Sequence, residues 1–279
     1  MTEIIPRTLK ARHHVLTLGP RTLVMGVLNV TPDSFSDGGL SAAPQDALVH
    51  ARAMRDAGAD ILDVGGESTR PGHTPLPADA EWARIAPVFA GLADWPDAPP
   101  LSVDTWKAEV AQKALAAGAS IVNDVWGFQR DSDMARVAAD FDAAAVVMHN
   151  REEIDAGIDI MSDMHAVFAR ALERAQAAGL PRERVVLDPG IGFGKTPEQN
   201  LTALRRIGEL AALGQPVLLG TSRKSFIGRL YPSTPAERLP GTLASHALGI
   251  LSGVSIVRAH DVAAHVQAVR VLDAIRAAP

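Results

Sequence analysis

Val185-Val186-Leu187-Asp188-Pro189-Gly190-Ile191-Gly192-Phe193-Gly194-Lys195-Thr196 decides the fold. Three apolar residues run straight into an aspartate. A turn of Pro and Gly follows, and then a threonine that opens a helical stretch. A short apolar run without polar alternation fits a strand buried on both faces, as in a parallel sheet covered by helices. The same arrangement recurs along the chain. Apolar runs at 24–28, 61–64, 101–103, 121–122, 145–148, 217–219 and 256–257 lead to Asn29, Glu67, Asp104, Asn123, His149, Ser222, and Arg258 with His260. Eight strand–helix units are what a closed (β/α)8 barrel requires, and chemistry in such barrels sits where the strands end. An open doubly wound sheet is the alternative, but it binds at one switch point and needs only some polar strand ends. Polar residues at nearly all eight ends favour the closed barrel.

Outward from these strands, helices are expected over 44–57, 78–92, 106–117, 131–139, 160–178, 196–212, 235–251 and 261–275. Gly58, Gly118 and Gly179 are natural C-terminal stops. Thr196 followed by Pro197 reads as a cap with proline in the first turn. Residues 30–39 and 68–77 are rich in turn formers and read as long loops. The 279 residues match one TIM barrel of roughly 250. We therefore expect a single-domain α/β barrel over 23–279, preceded by a lead-in over 1–22 that carries a small hairpin. Gly19-Pro20 signals a turn there.

Composition excludes several classes. The net charge of −5 gives no basic footprint, so nucleic acid is not an expected partner. An anionic ligand would need local cations, which Arg70, Arg223, Lys224 and Arg258 could supply. The absence of cysteine removes disulfides, thiolate nucleophiles and Cys-ligated metals. It fits a cytoplasmic enzyme. No apolar run approaches the length of a membrane span, and the N-terminus lacks the apolar core of a signal peptide.

Asp104, Asn123 and Asp188 each follow a strand too apolar to face water. As helix caps they would be ordinary. As a trio at the ends of barrel strands they favour binding, because carboxylates and an amide suit a planar, nitrogen-rich heterocycle. Thr69 and Arg70, after Gly65-Gly66, can hold an anion. Gly-Lys-Thr at 194–196 imitates a phosphate loop, but the glycine spacing is wrong for one. Lys224 after Ser222 reads as a hydrogen-bond donor in preference to a Schiff-base nucleophile. Arg258 and His260 sit where barrels commonly bind phosphate and could neutralise a leaving pyrophosphate. His149 stands between a buried structural histidine and a supporting one. No His-x3-His or cysteine spacing supports structural zinc.

Taken in order, these motifs resemble the dihydropteroate synthases of bacterial folate biosynthesis, a pterin-binding TIM-barrel family. The similar segments are 25–39, 63–72, Ser102-Val103-Asp104-Thr105, Asn123-Asp124-Val125, 188–196, Thr221-Ser222-Arg223-Lys224-Ser225 and Arg258-Ala259-His260-Asp261. Each is moderately specific alone, and together they are highly specific. Asn150-Arg151-Glu152-Glu153 departs from the Met-x-Gly pattern often seen in that family, which puts the detail of that loop in doubt more than the reaction.

The resemblance implies condensation of 6-hydroxymethyl-7,8-dihydropterin diphosphate with p-aminobenzoate. By carry-over, Asp104, Asn123, Asp188 and Lys224 hold the pterin, with Met148 and Arg258 packed against it. Thr69, Arg70, Arg258 and His260 hold the diphosphate, and Asn29 helps bind its magnesium. Phe35, Pro71, Phe193, Ser222 and Lys224 shape the p-aminobenzoate site that sulfonamides also occupy. The catalytic set is Asp104, Lys224, Arg258 and His260. The resemblance also implies a homodimer through late helices; Ala244–Leu251 and Val262–Ile275 are apolar enough for that, or equally for packing on the barrel. Two rivals are a pterin-binding methyltetrahydrofolate methyltransferase, which has no diphosphate to bind, and a non-catalytic pterin-binding paralogue.

Overall fold

In a computed structural model, which describes residues 6–30, 43–67 and 75–279, the lead-in forms an antiparallel hairpin. Its strands are β1 (Arg7–Ala11) and β2 (His14–Leu18), and they turn at Arg12 and His13. Gly19-Pro20 lies beyond β2, on the way into the barrel. Phe35, Thr69, Arg70 and Pro71 lie outside the described residues.

Eight parallel strands follow: β3 (Leu23–Asn29), β4 (Ile61–Gly65), β5 (Leu101–Asp104), β6 (Ile121–Asp124), β7 (Ala144–Met148), β8 (Val185–Asp188), β9 (Leu218–Leu219) and β10 (Ile256–Ala259). Their order in the sheet is β8-β7-β6-β5-β4-β3-β10-β9. A bridge between Leu187 and Val217, with Leu187 N–H donating to the Pro216 carbonyl at 2.9 Å, joins the two ends. The sheet is thereby a barrel, as the polar strand ends required.

The helices are α1 (Ala43–Asp56), α2 (Ala78–Ala93), α3 (Ala108–Ala116), α4 (Met134–Asp140), α5 (Ile160–Ala177), α6 (Pro197–Arg205), α7 (Ile207–Ala211), α8 (Ser225–Leu230), α9 (Leu239–Leu251) and α10 (Val262–Ala277). α5 shows why such sequences become helix. Asp159 caps it by accepting from Ser162 N–H, and Ile160, Met164, Val167, Phe168, Ala171 and Ala175 repeat at helical spacing toward the core. Gly179, at φ 83°, ends the turn beyond it.

Two expectations need correction. The helix expected over 196–212 is two helices, because Arg206 (φ −103°, ψ 13°) leaves helical geometry. The apolar pattern runs on through Ala203, Leu204, Ile207 and Leu210, all buried, so periodicity hides the break. α8 was not expected at all. It has only six residues, too few for a periodic signal, yet it buries Phe226 and Ile227.

Strand side chains alternate with period two. Val24, Leu62, Val64, Val103, Val122, Val147, Leu187 and Val257 face outward and pack with the helices. Leu23, Met25, Ile61, Ile121, Val146, Val186, Leu218 and Ile256 form the inner cluster, floored by Leu9, Ala11 and Leu18 of the hairpin. Parity does the rest. Two residues beyond Ile61, Ile121, Val146, Val186 and Ile256 come Asp63, Asn123, Met148, Asp188 and Arg258, on the same inner face near the C-terminal mouth.

Candidate active site

The mouth is organised around Arg258. Its Nε donates to Asp63 Oδ2 at 2.6 Å and its Nη2 to Asp104 Oδ2 at 2.6 Å. Asn123 Nδ2 donates to the same Asp63 oxygen at 2.9 Å. Parallel pairing sets Asp104 beside Asn123 and Met148 beside Asp188. Gly65 pairs with Asp104, and a Cβ there would lie 3.3 Å from the Asp104 Cβ, so glycine leaves that carboxylate its room.

Four buried atoms in this region have no hydrogen-bond partner among the described residues: Asp63 Oδ1, Asp104 Oδ1, Asn123 Oδ1 and the Ser102 hydroxyl. Such atoms are costly unless a ligand supplies partners. Three of the four can only accept, which fits the N–H and amino groups of a heterocycle.

Burial pushes Asp104 up to about 7. Arg258 pulls against that shift, and the Asp63 charge adds to it. Burial disfavours the Arg258 charge, but Asp63 and Asp104 outweigh it and push that group up. Asp188 is raised by burial against the pull of Lys224, and its Oδ1 accepts from Gly190 N–H at 2.7 Å. Lys224 is drawn down to about 8 by burial, against the attraction of Asp188. Its ammonium donates to the Ile191 carbonyl and sits 4.6 Å from the Phe193 ring centroid. Donation to acceptors is therefore what its position favours.

These partners separate the binding trio from capping. The N-cap positions of α3, α4 and α6 are Lys107, Asp133 and Thr196. Asp124, one residue past Asn123, holds the loop by accepting from Trp126 and Phe128 N–H. Ser222 Oγ meets both His260 Nδ1, at 2.9 Å, and His260 N–H, at 3.1 Å, so the two residues after β9 and β10 orient each other. Asn29 stands at the end of β3, half-buried. Arg223, counted among the local cations, is held by Asp261 through Nε and Nη2.

Three neighbouring residues have structural work. Lys195 Nζ donates to the carbonyls of His149, Gly190 and Phe193 at 3.2, 2.9 and 3.0 Å. The apparent phosphate-loop lysine is thus a buried staple of the loop after β8. His149 faces Asp163 through Nε2 at 2.9 Å, behind the mouth. Glu67 accepts from Lys107 Nζ at 2.5 Å, and that ammonium also reaches Glu81. It braces the base of the loop after β4.

Asp63 is the site residue that the apolar pattern concealed. The run 61–64 was read as continuous, although a carboxylate inside it, at the parity of Ile61, was the available signal.

Residues 25–260 match the family described as pterin binding enzymes. The chain is 46% identical over 260 residues to the dihydropteroate synthase of Bacillus subtilis (strain 168), covering 93% of this chain and 90% of that protein. It is similar to the crystal structure of dihydropteroate synthase from Clostridium difficile in the presence of pteroic acid, with TM-score 0.90 and 50% identity over 92% of this chain and 98% of that one. It is also similar to Xanthomonas albilineans dihydropteroate synthase with 4-aminobenzoic acid, with TM-score 0.93 and 40% identity over 99% of this chain and 100% of that one.

Proposed function

The chain belongs to the pterin binding enzymes and, within them, to the dihydropteroate synthases, and from that premise we propose how its own residues carry the reaction. It condenses 6-hydroxymethyl-7,8-dihydropterin diphosphate with p-aminobenzoate to give 7,8-dihydropteroate and pyrophosphate. The observation that carries the assignment of roles is the group of unpartnered buried acceptors around Asp63, Asp104 and Asn123.

Asp104, Asn123 and Asp188 accept from the pterin ring, Lys224 donates to it, and Met148 and Arg258 pack against it. Arg258 and His260, with Thr69 and Arg70, hold the diphosphate. Phe193, Ser222 and Lys224, with Phe35 and Pro71, shape the p-aminobenzoate site. The bond between the pterin methylene carbon and the diphosphate oxygen breaks, and its electron pair leaves with pyrophosphate. Positive charge spreads from the methylene into the ring, where ionised Asp104 stabilises it. The amine of p-aminobenzoate then bonds to the methylene and loses a proton.

Magnesium fits as a companion of the diphosphate. Among the described residues no three His, Asp, Glu or Cys side chains cluster as a metal cage. Magnesium held on phosphate oxygens needs only one or two protein ligands, and the Asn29 amide oxygen at the mouth suits one of them. Bound there, the ion would neutralise charge on the leaving group.

A homodimer is supported by Leu248, Leu251, Val271 and Ile275, large apolar side chains exposed on α9 and α10. A cytoplasmic location fits the cysteine-free composition. Among the described residues no helix is long and apolar enough to cross a membrane.

The test is direct. Purified chain with magnesium and both substrates is expected to form dihydropteroate with matching pyrophosphate. Failure to form dihydropteroate would sink the assignment.

A further inference from the structure

We propose that Asp63 is a positioning residue that fixes the polarity of Asn123 and the aim of Arg258 through one carboxylate. The inference rests on the mouth being the site of the pterin diphosphate. Asp63 lies on β4 with no exposed surface, and its Oδ2 accepts from both Arg258 Nε and Asn123 Nδ2. An ionised carboxylate can only accept. The Asn123 amide must therefore turn its NH2 toward Asp63 and its carbonyl away. That carbonyl oxygen is buried and has no partner among the described residues. Asp63 thus makes Asn123 present an acceptor. Next to a neutral amide, Asn123 could turn either way and offer a donor instead.

The same oxygen sets Arg258. Asp63 takes Nε and Asp104 takes Nη2, so one edge of the guanidinium is clamped across two strands. A guanidinium carries five N–H donors, and this clamp leaves Nη1 and the second hydrogen of Nη2 for an anion. One carboxylate therefore aligns the ring-reading amide with the cation that meets the diphosphate. Ring and leaving group are then held in one geometry.

Two probes separate the two effects. 6-Hydroxymethylpterin reads ring recognition alone, and magnesium pyrophosphate reads the anion site alone, each by calorimetric titration. Asp63→Asn is expected to weaken the pterin about tenfold in the otherwise intact chain, and less than about twofold when Asn123→Ala is already present. It is expected to weaken pyrophosphate in the intact chain but not in an Arg258→Gln background. In steady state, KM for the pterin diphosphate should rise and kcat fall. A merely structural role would lower kcat through the active fraction and leave KM unchanged.

Losses that add in both double variants would overturn the proposal. If Asp63→Asn alone does not fold, Asp63→Asn with Arg258→Gln removes both charges of the buried pair and is compared with Arg258→Gln alone. A further loss of pterin affinity is expected there, and no further loss would count against the role. The unsubstituted chain is assayed first. Its failure to make dihydropteroate would defeat the functional assignment, whereas an active chain with additive losses defeats only this inference.

Discussion

Arg258 Nη2 and Asp104 Oδ2 lie 2.6 Å apart across the barrel mouth, while the second oxygen of Asp104 is buried without a partner among the described residues. Asp104 therefore feels one strong attraction against a large burial penalty, and its carboxyl sits at about 7. The ionised form is the one that stabilises cationic charge in the pterin. We expect kcat/KM for the pterin diphosphate to fall as pH drops through about 7. Arg258→Gln removes the attraction and should move that acidic limb to higher pH. The substrate's own titration is common to both proteins, so the shift between them is diagnostic. An unmoved limb would separate Arg258 from the Asp104 charge.

Lys224 sets the other side of the profile. Burial draws it down to about 8, and Asp188 is the first attraction opposing that shift. Its ammonium should lose a proton as pH rises through about 8, with kcat/KM falling on that side. Asp188→Asn weakens the attraction and should bring the alkaline limb to lower pH. Titration calorimetry should also find that Lys224→Ala weakens both substrates, whereas Asp188→Ala mainly removes pterin binding. Unchanged pterin affinity in Asp188→Ala would count against its role.

Lys195 is expected to matter for stability and not for phosphate. Three carbonyls converge on its ammonium, and Lys195→Met would remove that donor from all three, leaving Gly190 only its bond from Phe193 N–H. We expect destabilisation of about 3 kcal/mol or more by denaturant unfolding. Affinity for magnesium pyrophosphate should be retained under conditions where the variant stays folded. A large loss of pyrophosphate affinity with unchanged stability would instead place Lys195 on the phosphate.

Gly190 admits no side chain. Its φ is +63°, and a Cβ there would lie 2.0 Å from the His149 carbonyl oxygen. Gly190→Ala should displace the loop that carries Phe193 and cost about 3 kcal/mol or more. Soluble yield and the unfolding midpoint measure this, and a variant with unchanged stability would show that the loop after β8 can shift freely.

His149 makes stability depend on pH. Burial, and then Lys195, bring it down to about 4 from 6.5, against its contact with Asp163. Between those values the unfolded chain holds a proton that the folded chain does not. Stability should therefore fall as pH drops from about 6.5 to about 4. In His149→Gln, proton uptake on unfolding across that window should decrease by up to one. An identical slope in both proteins would place the titration elsewhere.

Much of the site was legible because strand parity is local. Asp104, Asn123, Asp188 and Arg258 each interrupt an apolar run at its end, and alternation along a doubly buried strand gives each of them the inward parity. Asp63 was less legible because Val64 follows it, so the run seemed to continue. At Lys195 the glycine spacing already spoke against a phosphate loop. Its Gly-Lys-Thr setting suggests an anion, but the glycines let the chain fold back until three carbonyls surround the amine. Glu67 lies two residues beyond β4, and Lys107 from the next strand–helix unit claims it.

The order of apolar runs, their length and their polar ends determined a closed (β/α)8 barrel and the mouth where its ligands belong. These properties depend on alternation over a few residues, and that is written in the chain directly. Only the tertiary structure decided which polar ends pair. Closing the sheet sets β10 beside β3, next to β4, and so brings Arg258 to Asp63 and Asp104 from 195 and 154 residues away. No local pattern encodes that meeting. Once it is made, low solvent access strengthens each interaction, and one arginine shared by two aspartates sets the charge and orientation of the site.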